Sequence, residues 1–209
     1  MPPIMLNKLT DAEFAKLIDN ARVLEGDSFG PKVYRLADGN ILKLFRRKRL
    51  LSSALLQPYS VRFLANAKSL HKLGIPTLTP LSSFQLQRPG MTAVLYQPLP
   101  GETLKDIYLA EPERLRSLLP ELAAFIRKLH CLGVYFRSLH LGNIVLTPKG
   151  SLGLIDIADL RIQRRALSKA KRKRNLAHFE RLLKTLENAG DFPFMELSTA
   201  VLNDHPASK

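Results

Sequence analysis

The chain has 209 residues, 45% of them hydrophobic, which is enough for one core in a single domain or for two small lobes. Its net charge of +14 predicts attraction to polyanions, namely nucleic acid, an anionic membrane face, or phosphorylated lipid and sugar. A single cysteine excludes an internal disulfide. The sequence has no apolar run long enough for a transmembrane helix, and its N-terminus lacks the pattern of a signal peptide. We therefore expect a cytoplasmic protein.

The first half of the chain is predicted to be mostly β-structure. A short amphipathic helix over residues 8–20 comes first, with Thr10 as its N-cap and Glu13 completing a capping box. A second helix, over residues 60–73, is expected to end at Gly74. Apolar runs bounded by turn residues predict strands over residues 22–24, 32–36, 41–45, 81–87 and 92–97.

The segment 98–101, Pro-Leu-Pro-Gly, is the predicted boundary, because two prolines and a glycine interrupt any regular element. We therefore expect an N-terminal lobe over residues 1–100 and a C-terminal lobe over residues 101–209. Cys131 follows a helical apolar run and is expected to be a small core residue. The second lobe is predicted to contain helices over residues 103–109, 112–132 and 167–188, and a strand hairpin over 144–147 and 152–155.

The segment 129–160 carries the most informative pattern. After a helix, a loop contains Arg137, His140 and Asn143, and a hairpin then returns the chain to Asp156. Asparagine and aspartate at such a return offer oxygen ligands that hold Mg²⁺ beside nucleotide phosphates. The sequence therefore predicts a metal site with Asn143 and Asp156 as ligands.

This segment resembles the catalytic loop of protein kinases and small-molecule kinases, whose pattern is His-Arg-Asp-x-x-x-x-Asn, a hairpin and Asp-Phe-Gly. Residues 136–143, FRSLHLGN, match its spacing, and residues 156–158 stand at the Asp-Phe-Gly position. More narrowly, residues 22–188 resemble the bacterial lipopolysaccharide core kinases of heptose or Kdo sugars, on the segments HKLGIPTLTP, YQPLPGETL and RKRN. The resemblance implies an α+β, two-lobed protein-kinase-like fold, with a β-rich N-lobe and a mostly helical C-lobe, that uses ATP and Mg²⁺.

The resemblance also implies roles for residues in the first half. Gly26 and Gly30 resemble a shortened glycine-rich loop over the ATP phosphates. Lys43, which in isolation would read as a solvated strand lysine, matches the lysine that holds the α- and β-phosphates. Tyr96 begins a segment, up to Gly101, that resembles the hinge beside the adenine. The phosphate-binding lysine and the two metal ligands are expected around one cleft between the halves.

Two positions depart from the kinase pattern. Ser138 stands where the catalytic aspartate is expected, and a serine hydroxyl is no base near neutral pH. Ser138→Asp should therefore raise transfer in a slow enzyme and change nothing in a pseudokinase, whereas a slower variant of an active enzyme would indicate a loop rebuilt around another base. Asn66 stands where a glutamate usually pairs with Lys43. His140 is either a substitute base or a residue that organises the loop by hydrogen bonding. Asp159 is another candidate base, or else a helix cap or a supporting residue.

A run of cations follows the expected metal ligand Asp156. Such a run is usually a solvated helix face, but here it lies where kinases receive the acceptor, and it suits a phosphorylated, membrane-held glycolipid. Few aromatic residues interleave with it, which disfavours single-stranded nucleic acid. The run comprises Arg161, Arg164, Arg165, Lys169, Lys171, Arg172, Lys173 and Arg174, and a second cluster comprises Arg46, Arg47, Lys48 and Arg49.

Three functions follow from these patterns. The first is phosphorylation of a sugar of the lipopolysaccharide core by ATP, in the cytoplasm or at the inner membrane, with Arg137 holding the catalytic loop and Ser138 at the acceptor hydroxyl. The second is a pseudokinase that binds nucleotide or acts as a scaffold at the inner membrane, which Ser138 and Asn66 favour. The third is a basic nucleic-acid-binding module with the same fold. Retention of the phosphate-binding lysine and both metal ligands favours the first.

Overall fold

The structure is a computed structural model that describes residues 6–46, 58–186 and 191–203. The chain packs as two units, the first formed by Met1–Ser69 and Thr77–Leu99, and the second by Leu70–Pro76 and Pro100–Lys209. The first unit is built on a mixed β-sheet and the second is mostly helical, which confirms the α+β, protein-kinase-like fold class.

The first unit contains a six-stranded sheet with the strand order β1-β5-β6-β4-β3-β2. Adjacent strands of this sheet are antiparallel except for β1 and β5, which are parallel. The five predicted strands are all present, and most are longer than predicted. The elements are β1 (Asn7–Leu9), α1 (Asp11–Leu17), β2 (Arg22–Asp27), β3 (Gly30–Arg35), β4 (Ile41–Arg46), α2 (Tyr59–Lys72), β5 (Thr79–Leu86) and β6 (Met91–Gln97).

The two faces of this sheet pack against different helices. Leu42 and Leu44 of β4 belong to an apolar cluster that includes side chains of α1. Lys43 and Phe45 point the opposite way, because successive residues of a strand alternate between faces. On that face the ring of Phe45 lies 5.4 Å from the ring of Phe63 on α2. The alternation along β4 therefore places Lys43 on the α2 side of the sheet.

The first helix begins later than predicted, because Leu9 is a buried residue of β1 and not part of the helical stripe. The predicted capping box is confirmed: Thr10 Oγ1 accepts the backbone N–H of Glu13 at 3.2 Å, and Glu13 Oε2 accepts the backbone N–H of Thr10 at 2.8 Å. The backbone hydrogen bond, and then the side-chain bond from Thr10, hold the pKa of Glu13 below its usual value.

The second unit contains the remaining helices. The single helix predicted over 112–132 is two helices, because Pro120 in the first turn of the later one lacks an N–H and its ring excludes the preceding turn. The last helix was not predicted. Within the described residues no helix is both long and apolar enough to cross a bilayer. The helices are α3 (Leu104–Ala110), α4 (Pro112–Ser117), α5 (Leu119–Cys131), α6 (Lys169–Leu183) and α7 (Phe194–Leu202).

Cys131 is exposed, so its predicted place in the core is wrong. Leu122, Ile126 and Leu129 form the buried face of α5. Cys131 lies two residues beyond Leu129, and two residues rotate a helix by about 200°, which directs the thiol to the opposite side.

Short strands complete the second unit. The predicted hairpin is β9 (Ile144–Leu146) with β10 (Leu152–Leu154), and β7 (Glu102–Thr103) adds to β9. A separate ribbon pairs β8 (Val134–Tyr135) with β11 (Arg161–Ile162) in antiparallel register. Gly133 precedes this ribbon with a φ of +75°, and a Cβ there would lie 2.5 Å from the carbonyl oxygen of Gln163. Glycine is therefore required for the close approach that forms the ribbon.

Candidate functional site

Asn143 and Asp156 are the predicted metal ligands of the catalytic-loop pattern. Asn143 is buried, and its Nδ2 donates to the carbonyl oxygen of Ser138 at 2.9 Å, while its Oδ1 accepts no hydrogen bond from the described residues. The backbone N–H of Ile155 donates to the carbonyl oxygen of Asn143 at 3.0 Å. This hydrogen bond holds the end of the hairpin on the loop, and Asp156 is the residue that follows it.

Asp156 has a left-handed backbone conformation, with φ 49° and ψ 47°. A residue other than glycine in this region costs about 1–3 kcal/mol and persists only where its surroundings hold it. The next residue, Ile157, is fully buried and begins a short 3₁₀ turn, whereas the Asp156 side chain is exposed. Ile157 thus anchors the turn in the core, directly after the strained and exposed residue Asp156.

Ser138 lies beside Asp159, and this contact was not anticipated. Ser138 Oγ donates to Asp159 Oδ2 at 2.7 Å, with both side chains half-buried. Asp159 Oδ1 is buried and has no hydrogen-bond partner among the described residues. The β8–β11 ribbon accounts for the contact: Arg161 pairs with Tyr135, so the residues just before Arg161 lie opposite those just after Tyr135. The position of the missing catalytic carboxylate is therefore occupied by a hydroxyl bonded to a carboxylate.

His140 organises the loop through its ring. Its Nδ1 accepts the backbone N–H of Gly142 at 3.1 Å, which assigns the proton of a neutral ring to Nε2. Burial lowers the pKa of His140; the carboxylate of Asp156 raises it, the ammonium of Lys105 lowers it further, and Asp159 raises it slightly. The lone pair that a general base would need is thus used inside the loop.

Arg137 is exposed, and its charge is close enough to His178 of α6 to influence the histidine. The pKa of His178 is lowered first by burial and then by the charges of Arg181, Arg174 and Arg137, while Asp159 raises it. Arg137 therefore lies toward the basic helix α6, with Asp159 in the same neighbourhood.

A buried polar network contacts the backbone at the start of the catalytic loop, and the sequence did not predict it. His130 Nε2 and Asn175 Oδ1 are 3.0 Å apart, and Asn175 Nδ2 donates to the carbonyl oxygen of Phe136 at 2.7 Å. His130 and Asn175 are each 1% exposed. The pKa of His130 is lowered by burial, raised by its bond to Asn175 and lowered by Arg172. This network joins α5 and α6 to the residue that precedes Arg137.

In the first unit, Gly26 and Gly30 lie on the β2–β3 hairpin. Asp27 pairs with Gly30, whose φ of +103° favours glycine, so the loop is a tight turn with Phe29 exposed at its tip. Arg46 fixes this turn: its guanidinium donates to Asp27 Oδ1 at 2.7 Å and to the carbonyl oxygen of Pro31 at 2.8 Å. The other members of that basic cluster, residues 47–49, lie outside the described residues.

Lys43 is not a solvated strand lysine, since it is only 5% exposed. Its Nζ lies 5.9 Å from the ring centroid of Phe63, and Phe63 also contacts Tyr96 with 5.5 Å between ring centroids. Two of the predicted nucleotide-binding residues, Lys43 and Tyr96, thus surround one aromatic ring of α2. Asn66, one turn after Phe63, is half-buried on the same helix.

The basic run of the second unit forms an exposed surface, with only Arg172 half-buried. Five of its cations lie in the first half of α6, whose first turn contains no acidic residue. Cations at a helix N-terminus oppose the helix dipole, so this arrangement reduces the stability of the helix. Within the described parts of the chain, six of the eight make neither an ion pair nor a side-chain hydrogen bond: Arg161, Arg164, Arg165, Lys169, Lys173 and Arg174.

Comparison with protein families supports the kinase pattern. A family model described as "Lipopolysaccharide kinase (Kdo/WaaP) family" matches residues 25–195. The matched range includes all the candidate site residues, from Gly26 to Asp159, and the basic surface up to Arg174. A search of curated proteins found no match.

Proposed function

Since the chain belongs to the lipopolysaccharide kinase (Kdo/WaaP) family, we propose that it transfers the γ-phosphate of ATP to a sugar hydroxyl of the lipopolysaccharide core. The observation that carries this proposal is the hydrogen bond from Ile155 N–H to the Asn143 carbonyl, which fixes the residue before the strained Asp156 on the loop that contains Asn143. Strain kept at a metal-ligand position is typical of a site under functional constraint.

The donor set of these two residues fits Mg²⁺. The amide Nδ2 of Asn143 is engaged by Ser138, so the oxygen Oδ1 is the atom that the side chain offers to a ligand. Asp156 adds an exposed carboxylate, and hard cations prefer such oxygen ligands. Bound magnesium supplies neutralisation of the phosphate charge. We assign Asn143 and Asp156 to the metal on this ground.

The first unit contributes the residues that we assign to the nucleotide. Lys43 is buried on β4 beside the ring of Phe63 and matches the lysine of the kinase pattern, so we assign it to the α- and β-phosphates. Gly26 and Gly30 shape the turn that we assign to the phosphates. Tyr96, at the end of β6, begins the segment assigned to the adenine.

The acceptor that best fits the basic surface is an anionic glycolipid. Six exposed cations without ion pairs in the described structure, several placed against the helix dipole, favour a multiply phosphorylated partner. A lipid-anchored acceptor implies that the protein works in the cytoplasm, in peripheral contact with the inner membrane. In this proposal Ser138 contacts the acceptor hydroxyl, and Arg137 lies between the catalytic loop and α6.

A pseudokinase is the second candidate, and Ser138 is the observation that favours it. A hydroxyl at this position lacks the base that is typically worth about 10²–10⁴ in rate. Such a protein would bind nucleotide without transferring phosphate.

Transfer of radiolabelled γ-phosphate from ATP to purified lipopolysaccharide core tests the proposal. We expect labelled glycolipid with the wild-type protein and none with Lys43→Met. The matched control is Lys8→Met, which removes an exposed lysine from β1 of the same sheet and should leave labelling unchanged. Magnesium-dependent ATP binding without label in any core glycolipid would refute the transferase and support the pseudokinase.

A further inference from the structure

We propose that Asp159 supplies the carboxylate that the catalytic loop lacks at position 138, and that it acts through the hydroxyl of Ser138. The inference rests on the proposed transferase function, and it names the carboxylate that finally takes the proton of the acceptor sugar's hydroxyl. Ser138 is the catalytic residue in this scheme, since it contacts the acceptor hydroxyl, and Asp159 is the positioning residue that makes the serine able to accept a proton.

The geometry begins with the β8–β11 ribbon. Its register pairs Arg161 with Tyr135, which fixes the chain before β11 beside the chain after β8. The 3₁₀ turn that follows Asp156 then places Asp159 Oδ2 at 2.7 Å from Ser138 Oγ. This is the length of a strong hydrogen bond between a hydroxyl and a carboxylate. The segment after Asp156 thus supplies a carboxylate next to position 138.

The hydrogen bonds of Asp159 exclude the simpler reading of a helix cap. In the part of the chain that the structure describes, its side chain accepts a single hydrogen bond, which comes from Ser138 Oγ and not from a backbone N–H. Its other oxygen, Oδ1, is buried without a partner, so that atom does not reach an acceptor in solvent. Oδ2 is bonded to Ser138, so the relay that we propose passes the acceptor's proton through the serine.

The step balances as a proton relay. The acceptor oxygen forms a bond to the γ-phosphorus as the bond from that phosphorus to the β–γ bridging oxygen breaks, and ADP leaves. The acceptor's proton passes to Ser138 Oγ, and the proton that Ser138 gives up passes to Asp159 Oδ2. The serine is regenerated, and Asp159 ends the step as a neutral acid that releases its proton before the next turnover.

His140 is the other basic group near this position, and its geometry disfavours it. Its Nδ1 is occupied by the backbone N–H of Gly142, so a neutral ring presents an N–H at Nε2 and no lone pair. Of the two groups that the sequence offers as substitute bases, only Asp159 is bonded to the residue at the base position.

The decisive experiment measures kcat and KM for both substrates in Asp159→Asn, with radiolabelled ATP and purified lipopolysaccharide core. The amide oxygen of asparagine still accepts a hydrogen bond from Ser138 but does not take its proton at neutral pH, so the loop geometry is kept and the relay is lost. We expect kcat to fall by roughly 10²-fold with both KM values unchanged. Ser138→Ala removes the relay at its other end and should lower kcat by a similar factor.

The chain contains a matched control in Asp106, an exposed carboxylate of the same unit that accepts the hydroxyl of Thr103 at 2.6 Å. Asp106→Asn makes the same chemical change outside the site and should leave kcat unchanged. If Asp159→Asn keeps wild-type kcat, or changes only KM or melting temperature, the relay is wrong and the proposed function stands. Should Asp159→Asn fail to fold, wild-type kcat in Ser138→Ala overturns the relay. A wild-type protein without transfer overturns both.

Discussion

The two halves of the catalytic loop differ in how they relate to the kinase pattern. The half with the predicted metal ligands keeps the residue types of the pattern, and the hydrogen bond from Ile155 N–H to Asn143 O joins Asn143 to the residue before Asp156. The half in which a proton acceptor is expected has Ser138 in place of the aspartate, and Ser138 donates to Asp159, three residues after Asp156. One half is recognisable from sequence spacing, and the other only from which residues the fold brings together.

A loop can lack a motif residue at its usual position and still have the chemical group that this residue would supply. A metal ligand is hard to relocate, because the ion requires oxygen atoms in a defined arrangement around it. A proton acceptor needs only to be connected to the reacting hydroxyl by hydrogen bonds, so its carboxylate can be supplied from another segment through a serine.

The largest effect is expected at the predicted metal ligands, Asn143 and Asp156. Asp156→Asn removes the carboxylate that we assign to the metal, so phosphate charge is left uncompensated and magnesium-dependent ATP binding should be lost. Isothermal titration calorimetry with and without Mg²⁺ measures this directly, with Asp106→Asn as the control that should bind as wild type does. Equal ATP affinity in Asp156→Asn and wild type would remove Asp156 from the metal site.

The next effect sharpens the contrast at position 138. The sequence alone predicts that Ser138→Asp raises transfer in a slow enzyme, but the structure places Asp159 next to the new carboxylate, and two adjacent carboxylates share a proton. We therefore expect Ser138→Asp to lower kcat, and Ser138→Asp with Asp159→Asn to exceed the single variant by roughly 10²-fold. A single variant that is faster than wild type would show that Asp159 does not influence position 138.

A smaller effect is expected at the basic surface. Each cation near an anionic membrane contributes a factor of about five in binding, so Lys169→Gln with Lys173→Gln should weaken binding to anionic vesicles by roughly 30-fold. Sedimentation with vesicles at two salt concentrations measures this, with Lys8→Gln and Lys16→Gln as the charge-matched control in the first unit. Equal losses in the two double variants would mean that net charge matters and the α6 surface does not.

The smallest effect concerns stability and the network beneath the loop. Burial lowers the pKa of His130 from its ordinary value of 6.5, so below about pH 6.5 the unfolded chain binds a proton that the folded protein resists. The free energy of unfolding should therefore fall as pH decreases through this window, and His140 adds to the fall because burial lowers its pKa too. Urea unfolding at several pH values should show a weaker dependence in His130→Gln than in the control His71→Gln, which changes an exposed residue. If the free energy of unfolding depends on pH identically in the two variants, His130 does not contribute to that dependence.

Local patterns in the sequence were sufficient for much of the fold. Strand alternation, the Thr10 capping box and the turn before β4 all depend on neighbouring residues, and the structure contains each of them. The break between α4 and α5 was missed, although Pro120 marks it in the sequence. The two-residue strands β8 and β11 were not predictable, because strands this short have no detectable period.

The site was only partly predictable, because local sequence patterns indicate contacts between neighbouring residues and not contacts between distant ones. Asn143 and Asp156 follow from spacing within one loop and hairpin, and the hydrogen bond from Ile155 N–H to Asn143 O joins that loop to the end of the hairpin. The contact between Ser138 and Asp159 depends on the β8–β11 register, and the link from Asn175 to the Phe136 carbonyl depends on how α6 packs. Such contacts join residues far apart in the chain and leave no signature in either local sequence.

We propose that this chain transfers phosphate although its loop has a serine in place of the catalytic aspartate. The decisive measurement is mass spectrometry of purified lipopolysaccharide core after incubation with ATP, Mg²⁺ and the wild-type protein. We expect the gain of one phosphate on a core sugar, absent when Asp156→Asn replaces the wild type. Unmodified core, from a wild-type sample that binds ATP with Mg²⁺, would refute phosphate transfer and identify the protein as a pseudokinase.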